Sequence, residues 1–232
     1  MTTENKVFVP WDMIGDFMVE AFQGYGVPAE DAKICADVLM EADRLGIDSH
    51  GCNRFKPIYL DRIRRGTLLP KTEIEVLKET PTTLVYDAHD GMGMVASYKM
   101  MTELIAKAKK YGMAGGAIRN STHYGIASYW TRMASNAGMI GLTGTNARPS
   151  IAPTNGVENM MGTNPLTWSM PTDEDFPFSI DCATSTVQRG KIELWARSGK
   201  DTPEGCVICR DGSTMTDSEA ILEALVNGQA AL

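Results

Sequence analysis

The sequence predicts an α/β fold with a helical N-terminal region. Two observations carry that prediction. Apolar residues recur at three- and four-residue spacing through the first ~65 residues. Beyond them, short β-branched runs alternate with helical patterns, the signature of strands joined through helices. Ile14, Phe17, Met18, Ala21, Phe22 and Tyr25 make one helical face, which Gly26 ends. Pro28 can open a second helix, with Glu30 and Asp31 in its first turn, where carboxylates oppose the positive helix end. Its apolar face is Ile34, Cys35, Val38, Leu39, Ala42 and Leu45, and Gly46 closes it. A third helix is expected from about Arg54 to Arg65, stopped by Gly66.

Glu73 to Leu77 and Thr83 to Tyr86 then read as strands. Met94, Tyr98, Met101, Ile105 and Ala108 mark a helix closed by Lys109, Lys110 and Gly112. Ala114 to Arg119 reads as a strand, Ile126 to Ala137 as a helix and Met139 to Thr145 as a strand. Arg148 to Pro177 is rich in Pro, Gly, Asn and Thr and reads as a long loop, of the kind that carries function. Phe178 to Ile180 is a short strand leading into Asp181-Cys182-Ala183-Thr184-Ser185. These patterns divide the chain into a helical region, residues 1–70, and an α/β region, residues 71–232.

With 232 residues the chain can bury a sizeable core as one large domain or two small ones. A net charge of −7 argues against nucleic acid, whose binders present basic patches. Met1 to Pro10 has no long apolar run of the signal-peptide kind. No apolar stretch approaches the ~20 residues of a membrane-spanning helix. The expectation is a soluble cytoplasmic protein with no membrane partner. Five cysteines, an odd number without a secretory signal, argue for reduced thiols. Cys206-Val-Ile-Cys209 lies between turn-forming segments and reads as a hairpin, whereas a redox pair should open a helix. Two thiols also fall short of the four ligands of structural zinc, so no metal is expected.

Asp48-Ser49-His50-Gly51-Cys52-Asn53-Arg54 concentrates a hydroxyl, an imidazole and a guanidinium after the second helix. A histidine can donate and recover a proton near neutrality. Arginine grips a carboxylate with two parallel hydrogen bonds. Together they suit reduction of a 2-oxo acid. The same segment also reads as a helix-to-loop junction, with Ser49 as an N-cap and His50 and Arg54 solvated. Asn120-Ser121-Thr122-His123-Tyr124-Gly125 stands between a strand and a helix, where α/β proteins bind ligands. Gly91-Met-Gly93-Met-Val-Ala96 matches the glycine fingerprint of a dinucleotide fold. The acidic residue expected after the next strand is missing, because Asn120-Ser121 stands there, so an ordinary glycine turn is the other reading.

Five segments in order resemble the malate/L-lactate dehydrogenase-like oxidoreductases, a family distinct from the Rossmann-type lactate and malate dehydrogenases. They are Asp48-Ser49-His50-Gly51 with Arg54 and Tyr59; Asn120 to Gly125; Ala152-Pro153 with Gly156; Gly162-Thr163-Asn164-Pro165-Leu166; and Asp181 to Ser185 with Arg189-Gly190. The resemblance implies a helical region joined to a non-Rossmann α/β domain that binds NAD or NADP, in a homodimer. It implies a 2-oxo or 2-hydroxy acid substrate, with a cyclic-imine carboxylate as the neighbouring alternative. A nucleotide-binding protein without turnover is the alternative from another class. By the resemblance His50 is the proton donor and acceptor, assisted by Ser49 and Asp181, with His123 as the second candidate. Arg54, Tyr59 and Thr163 would contact substrate. His123, Tyr124, Gly125, Ile126 and Ala127, with Asn146, Ala147, Asp181, Cys182 and Ala183, would contact the cofactor. Chains of that family run longer, so the resemblance implies truncation after Leu232. They also often carry tryptophan where Cys206 stands and lack a CxxC pair there.

Overall fold

The computed structural model describes residues 7–232, so the first six residues of the Met1 to Pro10 reading lie outside the described residues. The chain forms two compact units. The first unit takes Val9–Leu142 and Trp168–Ile180, and the second takes Thr143–Thr167 and Asp181–Leu232. The fold is mixed α/β, as expected.

In the first unit, α1 (Trp11–Gly24) and α2 (Ala29–Arg44) follow the two predicted apolar faces. Pro28 stands at the N-cap of α2, where its missing N–H costs nothing. Both helices close alike. Gly26 and Gly46 take left-handed φ of 88° and 71°. The next amides, of Val27 and Ile47, then reach back to Phe22 O and Ala42 O, satisfying carbonyls that the helix ends would orphan.

The third predicted helix is present but irregular. A short 3₁₀ turn, Cys52–Arg54, leads into a wide π-type stretch, Phe55–Leu60, and then α3 (Asp61–Arg64). Pro57 lies in the wide stretch and has no N–H for a regular α-helical bond. Phe55 and Tyr59 from this stretch bury against Met18 and Phe22 of α1, Val38 and Leu39 of α2, and Met92, Met94 and Trp130. Phe22 meets both rings edge-on, at 4.8 Å from Phe55 and 6.1 Å from Tyr59.

β1 (Glu75–Glu79) pairs antiparallel with β2 (Thr83–Asp87), two residues later than the sequence suggests, with a bulge between Val76 and Lys78. β2 runs parallel to β3 (Gly115–Arg119), and α4 (Gly93–Tyr111) makes the crossover. This is a βαβ unit, yet its glycines are not arranged around a phosphate. A Cβ at Gly93 would overlap the Thr122 carbonyl. The first amides of the helix are taken by threonine hydroxyls, Met92 N by Thr72 Oγ1 and Gly93 N by Thr122 Oγ1, each at 3.0 Å. The glycine-turn reading holds and the dinucleotide fingerprint does not. At the strand ends, buried Asp87 accepts from Arg119 Nε (2.7 Å), Asn120 Nδ2 (2.8 Å) and His89 N (2.9 Å).

α5 (Ala127–Asn136) follows the Asn120–Ile126 turn. β4 (Gly141–Gly144), β5 (Leu166–Met170) and β6 (Phe178–Cys182) form a sheet in the order β4-β5-β6. β5 lies inside the stretch expected to be a long loop, which is a correction. Its buried side chains are Thr167 and Ser169, while Leu166 and Trp168 face outward. Apolar-inward alternation therefore gave no signal. In the first unit Ser169 Oγ bonds the hydroxyls of Thr131 (2.7 Å) and Ser179 (2.8 Å) instead.

The second unit has its own apolar core of Val187, Ile192, Val207, Ile221, Ala224 and Ala230. It is built on α6 (Arg189–Arg197) and α7 (Ser218–Val226), with Asp217 capping α7 through the amides of Glu219 and Ala220. β7 (Ile208–Cys209) pairs with β8 (Ala230–Ala231), and Ile208 bridges to Thr214 across the turn at Gly212. Cys206 and Cys209 are thus in a hairpin, and both thiols are free. No helix among the described residues is long and apolar enough to cross a membrane.

Candidate active site

The loop from Ser49 to Arg54 is shaped by α2, the helix before it. Asp43, in the last turn of α2, turns its carboxylate over Gly51 and accepts the Cys52 amide at 2.8 Å. A Cβ at Gly51 would overlap that carboxylate. Gly51 has φ −88°, ordinary for any L-residue, so the requirement for glycine is steric. Burial, and then Asp43, push the neighbouring Cys52 thiol up to about 12, so it stays protonated.

Inside this loop Ser49 is buried, and its Oγ lies 2.9 Å from His50 Nδ1. Ser49 does not cap a helix: Gly51 precedes the 3₁₀ turn, and no side chain caps it. Arg54 Nε donates to the Ser49 carbonyl at 2.6 Å. The guanidinium therefore braces the loop through Nε. His50 and Arg54 are both half-buried, rather than solvated as the junction reading required.

The second predicted cluster meets the first within the same unit. The rings of His50 and His123 stack with centroids 5.6 Å apart and 20° between planes. His123 Nδ1 accepts the Gly125 amide at 3.2 Å and lies 2.6 Å from the Tyr59 hydroxyl. Burial above all, then the positive charges of His50, Arg62 and Arg54, push the His123 pKa down to about 3. Tyr59 is fully buried, and burial drives its phenol well above the usual range, so it remains protonated. Gly125 has φ 79°, and a Cβ there would overlap Val38 Cγ1 of α2. The second loop is thereby seated on the same helix as the first. Tyr124 stacks on Trp130 at 6.2 Å, and the Trp130 indole donates to its carbonyl at 3.2 Å. Ile126 and Ala127 are buried.

The remaining predicted residues belong to the second unit. Asn146, Ala147, Asp181 and Cys182 are exposed, while Thr163 and Ala183 are half-buried. Gly162 sits against the Ala147 carbonyl so closely that a Cβ would overlap it, and Asn164 Oδ1 accepts the Ala147 amide at 2.9 Å. Thr163 O receives both the amide (2.9 Å) and the hydroxyl (3.2 Å) of Thr184. Asp181 accepts from Thr167 Oγ1 at 2.9 Å. Sequence reasoning missed Asp43 and Glu41. Glu41 holds Arg132 of α5 at 2.5 Å. Among the described residues, no three His, Cys, Asp or Glu side chains gather as a metal set.

Residues 9–231 match the malate/L-lactate dehydrogenase family, and the chain belongs to it. It is 44% identical over 229 residues to a malate dehydrogenase of Pyrococcus horikoshii, covering 99% of this chain and 62% of that one. The crystal structure of malate dehydrogenase from Entamoeba histolytica superimposes with a TM-score of 0.94 at 41% identity, covering 97% of this chain and 62% of the other. The delta1-piperideine-2-carboxylate reductase from Pseudomonas syringae pvar. tomato superimposes with a TM-score of 0.88 at 27% identity, covering 98% and 67%. The chain thus spans about 62% of the length of the curated malate dehydrogenase it matches.

Proposed function

We propose that the chain serves an oxidoreductase that interconverts a 2-oxo acid and its 2-hydroxy acid with NAD(H) or NADP(H). One observation carries the reading. Two imidazoles lie against each other, and His123 stays neutral down to about pH 3, so the proton role at neutral pH falls to His50. His50 gives its proton to the substrate oxygen and recovers one from solvent. Ser49, at hydrogen-bond distance from Nδ1, orients the ring. Asp181 is assigned to assist it and to balance its charge. Arg54 is assigned the substrate carboxylate and Thr163 a substrate contact, whereas Tyr59, fully buried with its hydroxyl on His123, acts only through that ring.

Asn146, Ala147, Asp181, Cys182 and Ala183 are assigned to contact a nicotinamide nucleotide, as are His123, Tyr124, Gly125, Ile126 and Ala127. When bound, a reduced nicotinamide supplies hydride. In this assignment the first 70 residues carry the acid and the clamp, residues 71–232 carry the cofactor turns, and the working assembly is a homodimer. Reduction of a cyclic-imine carboxylate is the second reading. Likeness to the piperideine-carboxylate reductase favours it, and the same acid and clamp would serve.

The test is consumption of NADH and of NADPH by the 232-residue chain with 2-oxo acids and with a cyclic-imine carboxylate. Turnover that falls at least a hundredfold in His50→Ala, with cofactor affinity kept, supports the assignment. Undiminished turnover in that variant would sink it. Arg54→Leu should raise KM for the acid far more than for the nucleotide.

A further inference from the structure

We propose that His123 is held as the neutral tautomer with its proton on Nε2, that Tyr59 is the positioning residue that fixes it, and that Nε2–H serves as a stationary hydrogen-bond donor to an oxygen of the bound ligand. The tautomer follows from this chain's own geometry. The donor role rests on the dehydrogenase reading.

Gly125 meets the His123 ring through its main chain. Its backbone N–H can only donate, and it points at His123 Nδ1 from 3.2 Å. Nδ1 must therefore present its lone pair. A neutral imidazole then carries its single proton on Nε2. With Nδ1 an acceptor, the Tyr59 hydroxyl at 2.6 Å is the second donor to it. Tyr59 has no surface exposure and lies edge-on to the His123 ring, with centroids 5.7 Å apart. The phenol sits 64 residues away in the chain and has no freedom to swing elsewhere without opening the core.

Protonating Nδ1 would set its N–H against the Gly125 N–H and force the Tyr59 hydroxyl to turn from donor to acceptor. It would also place a second cation among His50, Arg54 and Arg62, the charged groups whose fields reach this ring. Acid–base exchange at His123 is thus opposed by geometry as well as by charge. Among the described residues nothing hydrogen-bonds Nε2. An N–H so placed, beside the ring of the proposed proton donor, suits a carbonyl, carboxylate or phosphate oxygen. It polarises that oxygen without giving up its own proton. The nucleotide and the oxo acid both offer such oxygens.

Long-range 1H–15N correlation spectra of the uniformly 15N-labelled 232-residue chain read the tautomer directly. The expected pattern is a pyridine-like Nδ1 and a protonated Nε2, unchanged from pH 8 to pH 5. A proton on Nδ1, or titration of His123 within that range, would overturn the tautomer. In Tyr59→Phe the Gly125 amide alone still donates to Nδ1, so the Nε2–H tautomer should remain the major form with a minor Nδ1–H population appearing, and an unchanged spectrum would overturn the positioning role of Tyr59. If that variant does not fold, the wild-type Tyr59 hydroxyl proton gives the same answer: coupling across the hydrogen bond to Nδ1 supports the role, and its absence refutes it. NAD+, NADP+ and pyruvate are then added separately. A shift of the Nε2–H resonance with a nucleotide assigns the acceptor to the cofactor, and a shift with pyruvate assigns it to the substrate. No shift with any of them overturns the donor role. Because none of these readouts needs turnover, their failure is separable from failure of the dehydrogenase reading.

Discussion

Substituting Gly51 by Ala tests how the His50 loop is held. The added methyl would overlap the Asp43 carboxylate, which must then leave the Cys52 amide. Losing a charge-assisted hydrogen bond of that kind costs roughly 1.5–3 kcal/mol. Driving the Asp43 side chain off its rotamer adds about 0.5–1.5 kcal/mol. Gly51→Ala should therefore destabilise the fold by about 2–4.5 kcal/mol. Asp43→Ala should cost about 1.5–3 kcal/mol by the same lost bond. In the double variant the methyl meets no carboxylate, so the total should stay close to that of Asp43→Ala alone. Urea denaturation of the four chains gives the coupling energy. Costs that add within about 0.5 kcal/mol would refute the steric account.

Further outcomes follow from the titrating groups and thiols. The His123 pKa falls from 6.5 to about 3 on folding, so the unfolded chain takes up its proton first as pH drops. Its contribution is complete above pH 6.5 and is lost as pH falls toward 3. Between pH 7 and 4 the wild type should lose up to about 3 kcal/mol more stability than His123→Gln, and equal losses would contradict this. Asp87, held near 2 by the His89 amide first and then by Arg119, contributes above pH 3.8 and loses its contribution as pH falls toward 2. Asp87→Asn should lower Tm at pH 7, with the gap narrowing toward pH 2. A thiol-reactive aromatic disulfide should modify exposed Cys182 in the native chain. Cys35, fully buried and with its thiol pushed well up by burial, should react only after denaturation.

The helices α1, α2, α4 and α5 were legible because each lays a periodic apolar face on the core. β5 was not, because its buried positions are Thr167 and Ser169 and its outward ones Leu166 and Trp168, the reverse of the usual pattern. α6 and α7 also passed unread, although Asp217 ahead of Ile221, Leu222 and Leu225 is a capped amphipathic start. At the site, His50, Arg54 and His123 stood out as unusual residue types in turns. Their supports did not. Asp43 and Glu41 look like ordinary charges on the polar side of a helix, and their partners lie 9 and 91 residues away. Tyr59 was singled out only by the family resemblance, as a substrate contact, and its bond to His123, 64 residues away, left no mark in the sequence.

Helix α2 also sets a common datum for the two loops. Asp43 fixes the first loop at Gly51, and Val38 seats the second at Gly125. Five residues of α-helix separate those anchor points, a rise of about 7.5 Å that thermal motion can scarcely change. The spacing of the imidazoles is thus ruled off a rigid rod instead of being negotiated between two mobile turns. A tilt of α2 would carry both rings together and keep their separation, whereas a break in the rod between Val38 and Asp43 would let each ring wander alone.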